Sequence, residues 1–358
     1  MSQSNPIYIL SARSRHLHPA QGCVNEFEDV LAETLNARIV SPMGPSDDAE
    51  FVRRAGASAD LFVVALTMSH LVETLRRARG WRTRFNRVWG YVFDSALPAA
   101  ELHRSALRRR VSGFSRTVAS LDHLFLSCRP AVGMAADCYP IPVSYVPLAA
   151  DVKRFGSMQP LRAITVNAYG RQHPDHLARL ANTYNHNGSN RCLYYTSHLS
   201  EITVHDMVGH RALFWKMLSM SCIALAYDIM RVKGGRDMPF SFVGQRWFES
   251  LAAGCVVVGY RPDCVEADEL LNWQDATIDC PEDTEQFMAL IDDLLCDQAR
   301  LDAARVSNYR NMAAAHDWSH RVAAMIDILN LARPNALQQR LSDLKRLAQP
   351  AAPEVVAA

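Results

Sequence analysis

Val243–Tyr260 reads V-G-Q-R-W-F-E-S-L-A-A-G-C-V-V-V-G-Y. A polar loop enters a short amphipathic stretch, a glycine stops it, and a run of valines follows. Gly254 supplies the left-handed residue that ends a helix, and Cys255 to Val258 is apolar at every position, as a strand of a parallel sheet covered on both faces must be. The stretch is therefore a loop–helix–strand unit carrying one acid, Glu249, on the helix. Units of this kind bind ligands at the carboxyl edge of their sheet. From the residues alone Glu249 has two readings: an acceptor for ligand hydroxyls, or a helix acid that favours the macrodipole and pairs with Arg246 three residues earlier.

Working outward, buried-strand patterns recur at Ile7–Ser11, Asp60–Leu66, Val88–Phe93, His123–Ser127 and Val143–Leu148. A second series follows at Ala163–Val166, Cys192–Tyr195, Cys222–Tyr227 and Ala276–Ile278. Helical stretches separate them, among them Glu26–Asn36, Ala96–Leu107 and Asp283–Cys296, the last opening with Asp283 and Gln286 at capping-box spacing. Strands alternating with helices predict parallel sheets flanked on both faces. A chain of 358 residues exceeds one ordinary core, so two domains are expected.

The net charge of +1 excludes a globally basic nucleic-acid binder. It conceals a local asymmetry: Arg76 to Arg116 holds eleven arginines against Asp94 and Glu101, which leaves the rest of the chain near −8. Such a segment suits an anionic membrane surface or an acidic acceptor, and equally a solvated face. Cys23, Cys128, Cys138, Cys192, Cys222, Cys255, Cys264, Cys280 and Cys296 show no C-x-x-C spacing, and read as buried apolar residues of a reducing cytoplasm. Met1–Leu10 lacks signal-peptide character, and no apolar run approaches the roughly eighteen residues a spanning helix needs. The expected location is the cytoplasm, with at most a peripheral contact at the inner face of a membrane. Gln349–Ala358 is Ala/Pro-rich and expected to be disordered. No D-x-D triplet, G-x-S-x-G elbow or G-x-G-x-x-G fingerprint is present.

The Val243–Tyr260 unit closely resembles the donor-nucleotide helix of GT-B glycosyltransferases, whose commonest form is F-E-A-L-A-x-G-x-P-V-V. The resemblance assigns Glu249 to the ribose hydroxyls of a nucleotide-sugar. Val146-Pro147-Leu148-Ala149-Ala150-Asp151, followed by Phe155, resembles the strand end that leads into the interdomain linker of that family. Gly170-Arg171 matches the place where the family carries a glycine and an arginine that neutralises the donor diphosphate. A cation is needed there because the leaving group develops negative charge, and arginine presents a rigid donor fork to phosphate oxygens. His316-Asp317-Trp318 with Arg321 resembles the H-x-W-x-x-R turn that opens the domain's last helix. Two positions depart from the pattern: His176 stands where a second cation, a lysine, is usual, and Ser241 where many retaining members have a sugar-binding glutamate. The likeness covers most of residues 146–330, is closest to the CgeB-like, family-1-type enzymes, and is only architectural before residue 146.

The resemblance implies a GT-B α/β fold, two Rossmann-like domains whose parallel sheets face a central cleft. Residues 1–152 would bind the acceptor and 160–332 the nucleotide-sugar, 333–348 would form a helix packing back on the first domain, and 349–358 the tail. The activity implied is metal-independent transfer of a sugar from a nucleotide-sugar co-substrate to an acceptor hydroxyl, with no other cofactor. A catalytically silent glycosyltransferase-like binding subunit and a GT-B nucleotide-sugar epimerase are the alternatives.

Further candidates come from position. Gly244 and Gln245 open the Glu249 helix, where outward N–H groups attract anions, and Arg246 lies beside them. Asp94 ends a first-domain strand, as a cleft-facing acid or base would, though it fits equally as a cap of the helix predicted over Ala96–Leu107. His16 and His18 occupy the loop after the first strand, in reach of an acceptor or phosphate, or simply exposed there.

Overall fold

The computed structural model describes residues 5–54, 58–103, 105, 108, 111–196, 202–232 and 239–350. Two all-parallel sheets organise it. The first runs β1 (Ile7–Leu10), β2 (Arg38–Val40), β3 (Asp60–Thr67), β4 (Val88–Asp94), β5 (His123–Leu126) and β6 (Val143–Tyr145), in the order β2-β1-β3-β4-β5-β6. The second runs β7 (Ile164–Ala168), β8 (Leu193–Tyr195), β9 (Ser221–Tyr227), β10 (Val256–Tyr260) and β11 (Ile278–Asp279), in the order β11-β10-β9-β7-β8. Each strand order reverses once, between β1 and β3 and between β7 and β9. Loops leaving the carboxyl ends of those strands diverge there and open a crevice.

The valine run behaves as its composition requires. Val256 and Val258 enter an outer core with Val166, Ile223 and Leu225, while Val257 faces the opposite way, into a core continuous with the first sheet. Gly254 adopts φ +73°, and a Cβ there would lie 2.6 Å from the Ser157 carbonyl oxygen, so the chain can turn this tightly only with glycine. Cys255 precedes the strand rather than starting it.

The first domain departs more from its sequence. Its opening helix is Gln21–Leu35, five residues earlier than the periodicity predicts, because Ala20 caps it without a side-chain hydrogen bond and leaves no signal. β2 was not expected at all. Its three residues, Arg-Ile-Val, are too short to show alternation. Of the helix predicted over Ala96–Leu107, the described residues form Ala99–Leu102 after Pro98, which fixes a non-helical approach. The cysteines are all unpaired, but only Cys23, Cys128, Cys255 and Cys280 are buried; Cys192 and Cys296 are exposed. Of the basic segment, Arg77 pairs with Glu73, Arg82 with Asp122 and Arg87 with Asp60, so three of its charges are answered locally. Arg104, Arg109 and Arg110 lie outside the described residues, as does the tail from residue 351.

The end of the second domain grips the linker. Arg321 donates to the carbonyls of Pro147 and Leu148 and meets His316 Nδ1 at 2.9 Å, so the H-x-W-x-x-R turn holds the segment leaving β6. Trp318 packs its ring 4.4 Å from Phe27 of the first helix. The helix Asn335–Ala348 lies against Gln21–Leu35, with Leu337 and Leu344 fully buried. Its Arg340, 3% exposed, reaches Asp151 (2.6 Å), Asp317 (3.1 Å) and Glu33 (2.9 Å). No helix among the described residues is long and apolar enough to cross a membrane.

Candidate functional site

At the reversal of the second sheet, β7 runs into Tyr169-Gly170-Arg171. Gly170 takes φ +68°, and a Cβ at this position would lie 3.1 Å from Arg246 Nε. The absent side chain is what lets Arg246, from the first turn of the helix Gln245–Ala252, fold over the loop and donate to the Arg171 carbonyl. The Gly170 N–H is itself engaged by Thr196 Oγ1 at 3.2 Å. Burial lowers the Arg246 pKa to about 10, helped by the positive charge of Arg171 and opposed by Tyr169, Glu249 and Asp94. Asp94 ends β4 in the first sheet, in register with Thr67, yet its charge is felt at Arg246. The capping role for Asp94 does not survive, since Pro98 stands before the next helix.

Glu249 is 2% exposed and does not pair with Arg246. Its Oε1 accepts from Arg211 Nη2 at 2.5 Å and faces the Cys23 thiol at 3.4 Å, while Oε2 meets the Tyr169 hydroxyl at 3.4 Å. Arg211, on the helix Met207–Ser219, also donates to Glu26 of the first domain through Nε (2.7 Å) and Nη2 (2.9 Å). Trp215 Nε1 adds a bond to Glu26 at 2.9 Å. Burial raises the Glu249 pKa; Arg211 opposes that shift, and the second carboxylate, Glu26, adds to it. Burial works against the Arg211 charge, but the two acids outweigh it and raise its pKa. Glu26, Arg211, Cys23 and Tyr169 carry almost no sequence signal as partners, because they meet only through the tertiary fold. A charged residue four before Trp215 on one helix face was the sole local trace.

Gly244 is the N-cap of the Glu249 helix. Gln245 turns its Nε2 to the Ala149 carbonyl at 2.8 Å, and its buried Oε1 has no hydrogen-bond partner. Ser241 donates to Asp228 Oδ2 at 2.5 Å, so a carboxylate at the end of β9 stands behind the position where the family pattern has a glutamate. His176 is fully buried, bonded to the Tyr227 hydroxyl at 3.0 Å and stacked 4.0 Å from Phe287. Burial lowers its pKa to about 4, so it is a neutral core residue and supplies no cation. His16 packs 4.3 Å from His70, its pKa lowered by burial, and His18 Nδ1 accepts from Ala20 N at 3.2 Å. Their loop touches the second domain, where Val204 N donates to the Leu17 carbonyl at 2.7 Å.

Two parallel α/β domains, with an arginine in the loop after the first strand of the second, have the architecture of the GT-B fold. Residues 161–327, which include the second sheet, match the family described as glycosyl transferase-like. Among solved structures it is similar to Anabaena HepE in complex with UDP-glucose, with TM-score 0.53, 11% identity and coverage of 91% of this chain and 99% of that one. A weaker likeness is to an α,α-trehalose-phosphate synthase (UDP-forming) from Burkholderia vietnamiensis, with TM-score 0.45, 12% identity and coverage of 91% and 100%. No curated protein matches the chain in sequence.

Proposed function

We propose that the chain transfers a sugar from a nucleotide-sugar donor to an acceptor hydroxyl without a bound metal. The observation that carries this reading is the turn at the reversal of the second sheet, where the positive φ of Gly170 lets Arg246 fold over the loop and donate to the Arg171 carbonyl. Glu249 accepts from the donor ribose, while Arg171 and Gly170, with Gly244, Gln245 and Arg246 at the start of the Glu249 helix, face the diphosphate. The first domain, residues 1–152, offers His16, His18 and Asp94 to the acceptor. In the reaction the acceptor oxygen forms a bond to the anomeric carbon as the bond from that carbon to the diphosphate breaks. Asp94 takes the hydroxyl proton, and the arginine charges stabilise the departing diphosphate, a role worth about 10²–10³ in rate per well-placed donor.

The burial of Glu249 under a first-domain helix favours a second reading, a binding subunit that holds a nucleotide without turnover. One experiment separates them. Thermal shift with UDP-, GDP-, dTDP- and CMP-sugars identifies the donor, since a ligand binding only the folded state raises the midpoint, and hydrolysis of that donor is then followed. Slow release of free sugar supports the transferase; binding with no turnover under any acceptor supports the subunit.

A further inference from the structure

We propose that Glu26, on the first domain, is a positioning residue of the donor subsite: it holds the paired N–H edge of Arg211 and so keeps Glu249 from being fully consumed by that arginine. The inference rests on Glu249 being the nucleotide ligand. A guanidinium carries five N–H groups, and its strongest contact with a carboxylate is the parallel, two-bond fork. Glu26 has that fork, with Nε to Oε1 at 2.7 Å and Nη2 to Oε2 at 2.9 Å. Glu249 receives one bond, to Oε1. Its Oε2 has, among the described residues, only the long 3.4 Å contact with Tyr169, which leaves an oxygen with acceptor capacity for a hydroxyl.

The arrangement is imposed from the first domain. Trp215 Nε1 fixes the Glu26 carboxylate, and the Arg211 guanidinium lies 4.3 Å from the Phe214 ring centre. The first turn of Gln21–Leu35 presses on the arginine stem so closely that a Cβ at Gly22 would lie 2.4 Å from Arg211 Cδ. Take Glu26 away and the fork turns to the one carboxylate left, Glu249, occupying both of its oxygens. Donor affinity and the docking of the first domain are then one coupled equilibrium, because the same guanidinium serves both.

The groups facing Glu249 are Cys23 and Glu26 from the first helix, Tyr169 after β7, Arg211, and Arg246 on its own helix. Glu26 raises the Glu249 pKa and Arg211 lowers it, so the two neighbours move the acid limb of nucleotide binding in opposite directions. The test is calorimetric titration of the full chain with UDP, GDP, dTDP and CMP across pH, using whichever binds. Glu26→Gln keeps the volume and removes the charge; it should weaken binding roughly tenfold at neutral pH and move the acid limb to lower pH. Arg211→Met should move the limb to higher pH. A purely structural role for Glu26 would lower the unfolding midpoint and leave the limb in place. Unchanged affinity and an unmoved limb in folded Glu26→Gln overturn the proposal, as do shifts of the same sign in both variants. Should Arg211→Met not fold, Glu26→Gln decides alone. Glu249→Gln keeps the two questions apart: if it binds nucleotide as the parent does, the ribose assignment itself falls, whereas a weakened Glu249→Gln beside an unaffected Glu26→Gln removes only the role of Glu26.

Discussion

Two buried arginines, Arg211 and Arg340, each bind acids from both halves of the molecule, and they differ in whether backbone groups also hold those acids. Around Arg340 the two buried carboxylates, Asp151 and Asp317, are also backbone acceptors. Asp151 takes Arg154 N at 3.1 Å, and Asp317 takes Val152 N and Ser319 N, each at 2.8 Å. The cluster closes the linker, the turn before the last helix of the second domain and the C-terminal helix into one unit. Around Arg211 the backbone takes no part, and one oxygen of Glu249 is left with a single long contact. A cluster of buried charge tied to backbone groups serves architecture; one held by side chains alone, with an acceptor oxygen on a single long contact, is the better place for a ligand.

The largest expected effect breaks the backbone-tied network. Arg340→Met should cost about 3–5 kcal/mol of stability, the range for removing one partner of a buried ion pair, because Asp151 and Asp317 are left facing each other. Urea unfolding measures it, and nucleotide affinity of the folded fraction should not change. Loss of affinity without loss of stability would reverse the roles given to the two arginines.

The next acts on turnover alone. Arg171→Ala should lower the transfer rate by about 10²–10³ with the midpoint of unfolding unmoved, and EDTA should leave the parent rate intact. A rate abolished by EDTA and restored by Mg²⁺ or Mn²⁺ would assign the diphosphate charge to a metal instead. Glu249→Gln should weaken nucleotide binding by about 1.5–3 kcal/mol, the range for hydrogen bonds to a charged group, measured by calorimetry on a protein shown to be folded.

The pH response sharpens the contrast further. Burial raises the Asp151 pKa to about 6, above its value of 3.8 in an unfolded chain, against the pull of Arg340. The folded state therefore holds a proton that the unfolded state has released between those values. The contribution of this group is full below pH 4 and is lost as pH rises through 6. Asp151→Asn removes that slope, so its stability deficit relative to the parent should shrink from pH 4 to pH 7 in paired urea titrations. A deficit that grows over the same window would show that Asp151 is ionised throughout.

How much of this was legible depended on whether a residue acts within its own segment. Gly254, the valines and the Asp283 cap are local devices, and the sequence placed them because backbone geometry alone requires them. Gly170 and Arg171 were placed by resemblance, and the positive φ of Gly170 supplies the physical reason for its glycine. His176 was compared with a cation by position, but a side chain on the inner face of its helix meets Phe287 and Tyr227, and packing decided its state. Glu26 and Arg211 were invisible because charged residues on amphipathic helices are expected at the surface, and only contact between domains buries them. The first domain was harder to read for the same reason: β2 and the start of the first helix carry no capping or alternation signal, and are defined by what packs on them.

The smallest effect concerns arginines that stay exposed, where the comparison predicts weak, additive and salt-sensitive behaviour in place of strong geometric pairing. Arg77 and Arg82 each answer one exposed or half-buried acid, and pairs of that kind contribute little to stability. If the rest of the segment from Arg76 to Arg116 faces an anionic membrane, each arginine adds about 1 kcal/mol of attraction, screened over a Debye length of about 8–10 Å. Co-sedimentation with phosphatidylserine-containing vesicles should then be measurable at low ionic strength, vanish near molar salt, and fall when Arg108, Arg109 and Arg110 are all replaced by serine. Phosphatidylcholine vesicles should not retain the protein. Equal partitioning onto both kinds of vesicle, or onto neither at low salt, would leave these arginines as a solvated face or as contacts for an acidic acceptor.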